Sequence, residues 1–260
     1  MTEPDRADYL VSERLLSAGF RHAFFTRRGG VSTGPYATLN LSRSVGDETE
    51  QVEANLARAA EAVGVPRARL YVLAQVHGAE VVEITPADGP EAIARRPGDA
   101  LLARAGGLGC GVRIADCVPV LVADRVTGAV AAIHAGWRGV VADVVGAAVA
   151  RLRAGVAGAP ALVAAIGPHI SAAAFEVGED VAATLGAVAP EVPAVLRPPG
   201  GRPRVDLRAL VRAELVRAGV SHEAIDDVAG CTFSEPERFF SFRRDGPRSG
   251  RHLAAIVARG

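Results

Sequence analysis

The sequence predicts an α/β fold, a single layered domain over residues 1–260 in which a mixed β-sheet core is flanked by helices. Three observations support this. Segments rich in β-branched and small apolar residues are concentrated in the middle of the chain. Segments whose apolar residues recur at helical spacing lie on both sides of them. The chain has no internal repeat and no long linker, and 49% of its 260 residues are hydrophobic, which is enough to bury one large core.

The first third of the chain is predicted to contain strands on either side of one helix. The segment from Phe20 to Thr26 predicts a strand that leads into the glycine-rich loop RRGGVSTGPY. Asp47, with Glu50 three residues later, is typical of a capping box and predicts a helix that runs to about Val63. A pair of strands is expected around the sequence QVHG, one from Leu70 to Val76 and one from Glu80 to Ile84.

The rest of the chain is predicted to be rich in strands. Segments with the β-branched content of strands are Ala100 to Ala103, Gly111 to Ala115, Val118 to Ala123 and Ala129 to Ala135. A helix from Val140 to Arg153 and a buried strand from Ala161 to Gly167 follow. Asp206 is expected to cap a helix that ends before Gly219, with apolar positions at Leu207, Leu210, Val211, Leu215 and Val216. A strand from His252 to Val257 is expected last.

The charge composition narrows the classes of partner. The chain has 29 basic and 29 acidic residues, and this balance argues against nucleic acid or an anionic membrane as a partner. All 29 basic residues are arginine. The absence of lysine excludes Schiff-base and P-loop lysine chemistry, and it leaves planar cations suited to phosphate or carboxylate.

The chain is expected to be a cytoplasmic monomer. Its amino-terminal sequence MTEPDRADYL is polar and lacks the apolar region of a signal peptide. The longest weakly polar stretch, residues 154–167, is shorter than the roughly 20 apolar residues of a membrane span. Three cysteines form no disulfide framework and indicate reduced thiols.

Three reactive side chains lie at ends of predicted strands. Cys117 precedes one strand, His134 nearly ends the next, and His77 lies in QVHG before a glycine that permits a sharp turn. Side chains at strand ends lie at the rim of a sheet, where loops form clefts. Two imidazoles and a thiolate suit a Zn²⁺ site with a fourth position open to water.

Two alternatives for these residues stay open, because their gaps of 40 and 17 residues match no short zinc-finger pattern. One is a buried structural cysteine with two unrelated histidines. The other is a Cys–His nucleophile pair oriented by Asp116. The remaining histidines occur singly and are expected to be packed or on the surface: His22, His169, His222 and His252.

Eight sequence blocks resemble those of one known family. In chain order they are FFTRRGGVSTGPYATLNLS, QVHG, ADCVPVLVAD, AAIHAGWRG, IGPHI, FEVG, CTFSE and FFSFRRDGPRSGR. They are similar to the YfiH-like, laccase-domain family, whose members are called polyphenol oxidases, purine nucleoside phosphorylases or peptidoglycan editing factors. The resemblance runs from about Phe24 to the carboxyl terminus. It implies a layered α/β sandwich and a catalytic zinc site formed by His77, Cys117 and His134, with Cu²⁺ as the alternative metal.

The resemblance also implies a set of substrate-binding residues: Arg27, Asn40 and Arg243. Each could instead be a structural partner within the fold. Leu56 and His252 depart from the family pattern, which often has arginine at the first position and methionine or glutamine at the second. These departures concern substrate recognition rather than the metal site.

Among the activities that the resemblance implies, zinc-dependent phosphorolysis of adenosine, inosine or methylthioadenosine fits best, with adenosine deamination as a side activity. Arginine side chains can bind the phosphate that such a reaction needs. The alternatives are a hydrolase or amidase that edits a peptidoglycan precursor, a copper-dependent polyphenol oxidase, and a non-catalytic metal-binding protein. Six histidines are too few for the several copper centres of an authentic laccase, and a single copper site would usually need an axial methionine, whereas the only methionine is Met1.

Overall fold

The computed structural model describes residues 6–154 and 161–260. Residues 1–5, which include Met1 and half of the polar amino terminus, lie outside the described residues, as do residues 155–160. Within the described ranges, no helix has the length and apolar character needed to cross a membrane.

The chain forms thirteen strands and eight α-helices within the described residues, and four strands follow one another in its middle, between residues 100 and 135. The strands are β1 (Tyr9–Leu10), β2 (His22–Phe25), β3 (Leu70–Tyr71), β4 (Val81–Ile84), β5 (Ala100–Ala103), β6 (Gly109–Ile114), β7 (Val118–Asp124), β8 (Val130–Ala135), β9 (Leu162–Ile166), β10 (Val195–Leu196), β11 (Arg204–Val205), β12 (Ile225–Asp227) and β13 (His252–Val257). The α-helices are α1 (Glu13–Ser17), α2 (Thr49–Ala62), α3 (Pro90–Ile93), α4 (Trp137–Val141), α5 (Val144–Arg153), α6 (Glu179–Gly186), α7 (Leu207–Arg217) and α8 (Phe242–Asp245).

The predicted α/β sandwich is confirmed, and its mixed-sheet core consists of two sheets. The larger sheet has the strand order β12-β9-β7-β8-β5-β4, and the smaller has the order β1-β2-β13-β6-β3. Most neighbouring strands are antiparallel. The parallel pairs lie at sheet edges, where β12 joins β9, β4 joins β5 and β3 joins β6. β10 and β11 form a separate antiparallel ribbon.

The side chains of the central strands are divided between two cores, because successive residues of a strand point to opposite faces. Leu101 and Leu121 pack between the two sheets, where they meet Phe24 of the smaller sheet. Leu102 and Val120 face the opposite way, towards α5 and α7. On the outer face of the smaller sheet, α2 covers β2 and β13. Burial on both faces explains why β5, β7 and β8 are continuous apolar runs in the sequence.

The segment around QVHG differs from its predicted pair of strands. β3 ends at Tyr71 and belongs to the smaller sheet, whereas β4 begins at Val81 and belongs to the larger sheet. The two strands therefore do not pair with each other. The chain between them passes from one sheet to the other, and this places His77 near the ends of both sheets.

Two predicted helices also begin differently. α2 starts at Thr49, and the carboxylate of Asp47 does not cap it but accepts hydrogen bonds from the side chains of Ser32 and Asn40. The helix predicted over residues 140–153 is divided into α4 and α5. The division falls at Asp143, whose φ of 56° interrupts helical geometry.

The last predicted helix is confirmed at both ends. Asp206 Oδ1 accepts a hydrogen bond from the amide of Ala209 at 3.0 Å, and Gly219 follows the helix with a φ of 96°. The buried face of this helix differs, however, from the apolar face that the sequence predicts. Val216 is 43% exposed, whereas Glu214, a residue the apolar pattern did not include, is 1% exposed.

Candidate metal centre

Two adjacent strands bring Cys117 and His134 together. Cys117 lies immediately before β7, and His134 is the penultimate residue of β8. The strands are antiparallel, with Val118 opposite Ala135 and Pro119 opposite His134. The beginning of β7 therefore lies beside the end of β8, as their positions at strand ends predicted.

His77 reaches the same rim from the segment that links the two sheets. Its φ of 61° lies in the left-handed region, which is uncommon for a residue with a side chain. The sharp turn is thus at His77 itself, and Gly78 has no positive φ. The ring of His77 lies edge-on to that of His134, with 4.8 Å between ring centroids.

The geometry and the donor set fit a single metal ion. The ligating atoms of His77, Cys117 and His134 lie within 4.8 Å of one another. Gly136 leaves the space between them free, because a Cβ there would stand 3.0 Å from both Cys117 Sγ and His77 Cδ2. His134 is buried and His77 is exposed, so the cluster is open on the side of His77. Two imidazoles and a thiolate are ligands that Zn²⁺ accepts.

A buried carboxylate, that of Asp99, orients both histidines. Its Oδ1 lies 2.8 Å from Nδ1 of His134 and accepts the amide of His77 at 2.9 Å. Its Oδ2 accepts the amides of Gly78 at 2.6 Å and Val76 at 3.3 Å. The hydrogen bond to Nδ1 leaves Nε2 of His134 free to bind a metal, which is the usual arrangement of a metal-ligating histidine.

The electrostatics of the cluster favour a thiolate at Cys117. Burial raises the pKa of this thiol, but the charges and hydrogen bonds of His134 and His77 outweigh burial and lower the pKa below its ordinary value. For His134, burial lowers the pKa, and its contacts with Cys117 and Asp99 more than compensate and raise it. The thiolate is the form of cysteine that binds metals.

A cavity of about 470 Å³ opens beside the cluster. This volume lies within the range of about 300–1,000 Å³ that is usual for small-molecule sites. Cys117 and both histidines line it, together with an apolar part formed by Phe175 and Phe242 and a cationic part formed by Arg113, Arg243 and Arg251. The cavity can therefore hold a ligand that is partly aromatic and partly anionic.

Of the substrate-binding residues expected from the sequence, Arg243 lines this cavity. Its guanidinium donates to the carbonyl of Glu176 at 2.9 Å and lies 5.3 Å from the ring centroid of Phe175. Its backbone amide donates to Asp116 Oδ2 at 2.6 Å. These contacts hold an exposed cation at the cavity edge.

Arg27 and Asn40 lie outside the cavity wall and hold loops together. Arg27 donates to the carbonyls of Ala37 and Pro236, both at 2.9 Å. Asn40 is fully buried, and its Oδ1 accepts the backbone amide of Arg251 at 2.9 Å. Asn40 therefore supports a cavity residue through the backbone.

Asp116 does not orient the Cys–His pair in the way one alternative required. Its carboxylate accepts hydrogen bonds from the hydroxyl of Thr232 at 2.7 Å and from the amide of Arg243. The carboxylate beside His134 is that of Asp99. Asp116 has a φ of 94°, and its bonds hold the turn that presents Cys117.

Sequence reasoning missed Asp99, Arg113 and Arg251. For Arg113 a signal was present, since it is an arginine in an apolar strand four residues before Cys117. Asp99 has no comparable signal, because its role depends on contacts made across the fold. The departures from the family pattern are buried: Leu56 lies in α2 and packs with residues of β2 and β13, and His252 accepts the amide of Phe240 at 2.7 Å.

Comparison with known proteins places this architecture in a recognised group. Residues 21–259 match the family model described as "Multi-copper polyphenol oxidoreductase laccase". A Streptomyces coelicolor protein named purine nucleoside phosphorylase is 41% identical over 248 residues, which cover 95% of this chain and 99% of that protein. The Escherichia coli purine nucleoside phosphorylase YfiH is 38% identical over 220 residues, covering 85% and 86% of the two chains.

Solved structures agree with the sequence comparisons. The crystal structure of YlmD from Geobacillus stearothermophilus superimposes with a TM-score of 0.87 and 31% sequence identity. The superposition covers 99% of this chain and 100% of that chain.

Proposed function

The chain belongs to the family described as multi-copper polyphenol oxidoreductase laccase, and on this basis we propose that it is a zinc-dependent purine nucleoside phosphorylase. The proposed substrates are adenosine, inosine or methylthioadenosine, together with inorganic phosphate. One observation carries the proposal: a three-ligand cluster shares its cavity with three arginines and two phenylalanines. The names of the relatives support it.

The metal would be held by His77, Cys117 and His134, and when bound it would supply a Lewis acid that polarises an oxygen of a substrate. Asp99 holds His134 in the tautomer and orientation needed for binding. The lowered pKa of Cys117 keeps the sulfur in its thiolate form. Among the described residues, this is the one group of three histidine, cysteine or acidic side chains suited to a metal ion.

Phosphorolysis needs a dianion, an uncharged nucleoside and the exclusion of competing water. An oxygen of the hydrogen phosphate dianion forms a bond to C1′ of the ribose as the bond from C1′ to the purine nitrogen breaks. The proton that hydrogen phosphate gives up is taken up by the leaving purine, so the products are ribose 1-phosphate and the neutral base. The arginines of the cavity bind the dianion and hold it near the sugar, which converts a bimolecular encounter into a positioned one. Phe175 and Phe242 offer aromatic faces against which a purine can stack.

Copper at the same three residues is the second candidate, because the matched family is described as a multi-copper oxidoreductase. A single three-ligand group in the described residues supports one copper centre rather than several. We therefore expect phenol oxidation to need added copper and to remain slow. Strong phenol oxidation by the copper-free zinc protein would contradict this expectation.

The proposal is tested by incubating zinc-loaded protein with each nucleoside in the presence and absence of phosphate and separating the products by chromatography. We expect free purine only when phosphate is present, and none from metal-stripped protein or from Cys117→Ser. Inosine formed from adenosine would reveal the side deamination. Purine release that does not depend on phosphate would contradict the assignment. Turnover of a peptidoglycan precursor with no turnover of nucleosides would also contradict it.

A further inference from the structure

Two arginines are placed side by side in the cavity wall by the smaller sheet. Arg113 lies in β6, opposite Leu253 of the antiparallel strand β13. Arg251 is two residues before Leu253, so it lies diagonally across from Arg113 on the same face. Both side chains line the cavity that contains Cys117 and His134.

Neither arginine is neutralised by a carboxylate within the described residues. The guanidinium of Arg113 donates to the carbonyl of Leu73 at 2.6 Å and to Ser42 Oγ at 3.4 Å. That of Arg251 donates to the carbonyls of Ser249 and Gly250, at 2.6 and 3.0 Å. These partners are neutral. By contrast, the nearby surface residue Arg43 forms ion pairs with Glu53 and Glu91.

The positive charge of Arg251 makes the charged form of Arg113 less favourable in this position. Burial, together with the charges of Arg251 and Arg43, lowers the pKa of Arg113 to about 10. Burial also lowers the pKa of Arg251, against the attraction of Asp116 and Cys117. The carboxylate of Asp116 accepts the hydroxyl of Thr232 and the amide of Arg243, and within the described residues it forms no ion pair with Arg113 or Arg251. A pair of half-buried cations is costly unless an anion joins them.

Two hydroxyl groups complete a polar corner beside the arginines. Ser42 Oγ and Ser44 Oγ lie 2.9 Å apart, and both residues line the cavity. Ser42 Oγ also accepts a hydrogen bond from the guanidinium of Arg113. Guanidinium forks and hydroxyls together match the oxygens of a tetrahedral oxyanion, which accept several hydrogen bonds at once.

We infer that Arg113 and Arg251, with the hydroxyls of Ser42 and Ser44, form the subsite that binds the inorganic phosphate co-substrate. This inference rests on the proposed function and specifies how the chain would bind its second substrate. It assigns the principal phosphate contacts to Arg113 in β6 and Arg251 immediately before β13, rather than to the substrate-binding residues expected from the sequence, Arg27 and Arg243. Arg243, which is exposed and held over Phe175, is left to contact the nucleoside at the cavity edge.

The test is the direct binding of inorganic phosphate to zinc-loaded protein, measured by calorimetry without nucleoside. Loss of one bidentate, charge-assisted contact should weaken phosphate binding by about ten- to a hundred-fold in Arg113→Gln and in Arg251→Gln. Arg251→Lys keeps the charge without the fork, so its affinity should fall between those of the glutamine variant and the wild type. The matched control is Arg125→Gln, because Arg125 is exposed and lies outside the cavity.

Metal content and thermal unfolding of every variant are measured in parallel. Wild-type phosphate affinity in folded, zinc-containing Arg113→Gln and Arg251→Gln would overturn the inference, even if the nucleosides are still cleaved. Arginine-dependent phosphate binding without any purine release would support the subsite and contradict the proposed function. The phosphate subsite and the proposed function would therefore be contradicted by different results.

Discussion

The buried carboxylate of Asp99 contacts both histidines of the cluster, so the geometry of the site depends on this one group. All four of its described hydrogen-bond partners can donate to it: the ring of His134 and the amides of Val76, His77 and Gly78. An uncharged amide at this position would set its own NH₂ group against one of these donors. Asp99 is therefore both a positioning residue and the support of the left-handed backbone at His77.

We expect Asp99→Asn to weaken zinc binding by about ten- to a hundred-fold, the usual effect of losing a partner behind a metal-ligating histidine. The measurement is competition against a chromophoric chelator. The matched control is Asp124→Asn, because Asp124 is equally buried and also accepts a backbone amide, but it lies at the far end of β7. Equal zinc affinities for the two variants would show that Asp99 does not act through the metal site.

The cysteine of the cluster is expected to be essential for metal retention. Cys117→Ser removes the thiolate, and we expect the purified variant to hold less than about a tenth of the wild-type zinc under mild chelation, because a hydroxyl is a much weaker zinc ligand. Elemental analysis measures the effect. Cys231→Ser serves as the control, since Cys231 lies outside the three-ligand group. An unchanged zinc content in Cys117→Ser would show that the sulfur of Cys117 is not a metal ligand.

Single residues could be predicted from the sequence where their position along a strand was informative. Cys117 and His134 flank two apolar runs, so their proximity followed from the pairing of β7 with β8. In the sequence, Arg27 and Asn40 cannot be distinguished from polar residues that line the cavity, such as Arg243. In the structure, their side chains hold loops together instead. Whether a polar side chain faces a cavity depends on contacts with distant segments, which spacing along the chain does not contain.

Among the secondary-structure elements, the core strands β5, β7 and β8 were predictable because burial on both faces makes them continuous apolar runs. The sequence predicts a pair of strands around QVHG, and these strands lie in different sheets instead. Local patterns indicate that a segment is a strand without indicating its partner. α7 gives a second example, because its buried face includes Glu214, which an apolar pattern excludes.

Glu214 makes the stability of α7 packing depend on pH. It is buried, both carboxylate oxygens lack a hydrogen-bond partner within the described residues, and burial together with the charge of Asp143 raises its pKa to about 8. In the unfolded chain the same group loses its proton near pH 4.5. Between these values the folded state binds more protons than the unfolded state, so stability falls as pH rises.

We therefore expect Glu214→Gln to be more stable than the wild type above pH 8 and to lose this advantage towards pH 5. One group that is protonated only in the folded state contributes a slope of up to about 1.4 kcal/mol per pH unit. Urea unfolding at pH 5, 7 and 8.5 measures the difference, with Glu61→Gln, an exposed position in α2, as the control. A difference between Glu214→Gln and wild type that does not change with pH would refute this account of the buried carboxylate.

The layered fold as a whole positions the site at a rim to which both sheets contribute. The larger sheet supplies Cys117 and His134, the smaller sheet supplies Arg113 and Arg251, and the connecting segment supplies His77. The α/β sandwich was predictable from the composition and order of its segments. The number of sheets was not, because the packing of one apolar face on another is not encoded in local spacing.

In the proposed reaction, phosphate rather than water takes the ribose from the purine. Phosphorus NMR of a reaction containing zinc-loaded protein, inosine and inorganic phosphate tests it most directly, because a sugar phosphate and free phosphate give separate signals. We predict that a ribose 1-phosphate signal grows in step with hypoxanthine, at one mole for each mole of purine, and that Cys117→Ser produces neither. Hypoxanthine without the sugar phosphate, or inosine left intact by the zinc-loaded protein, would contradict the account.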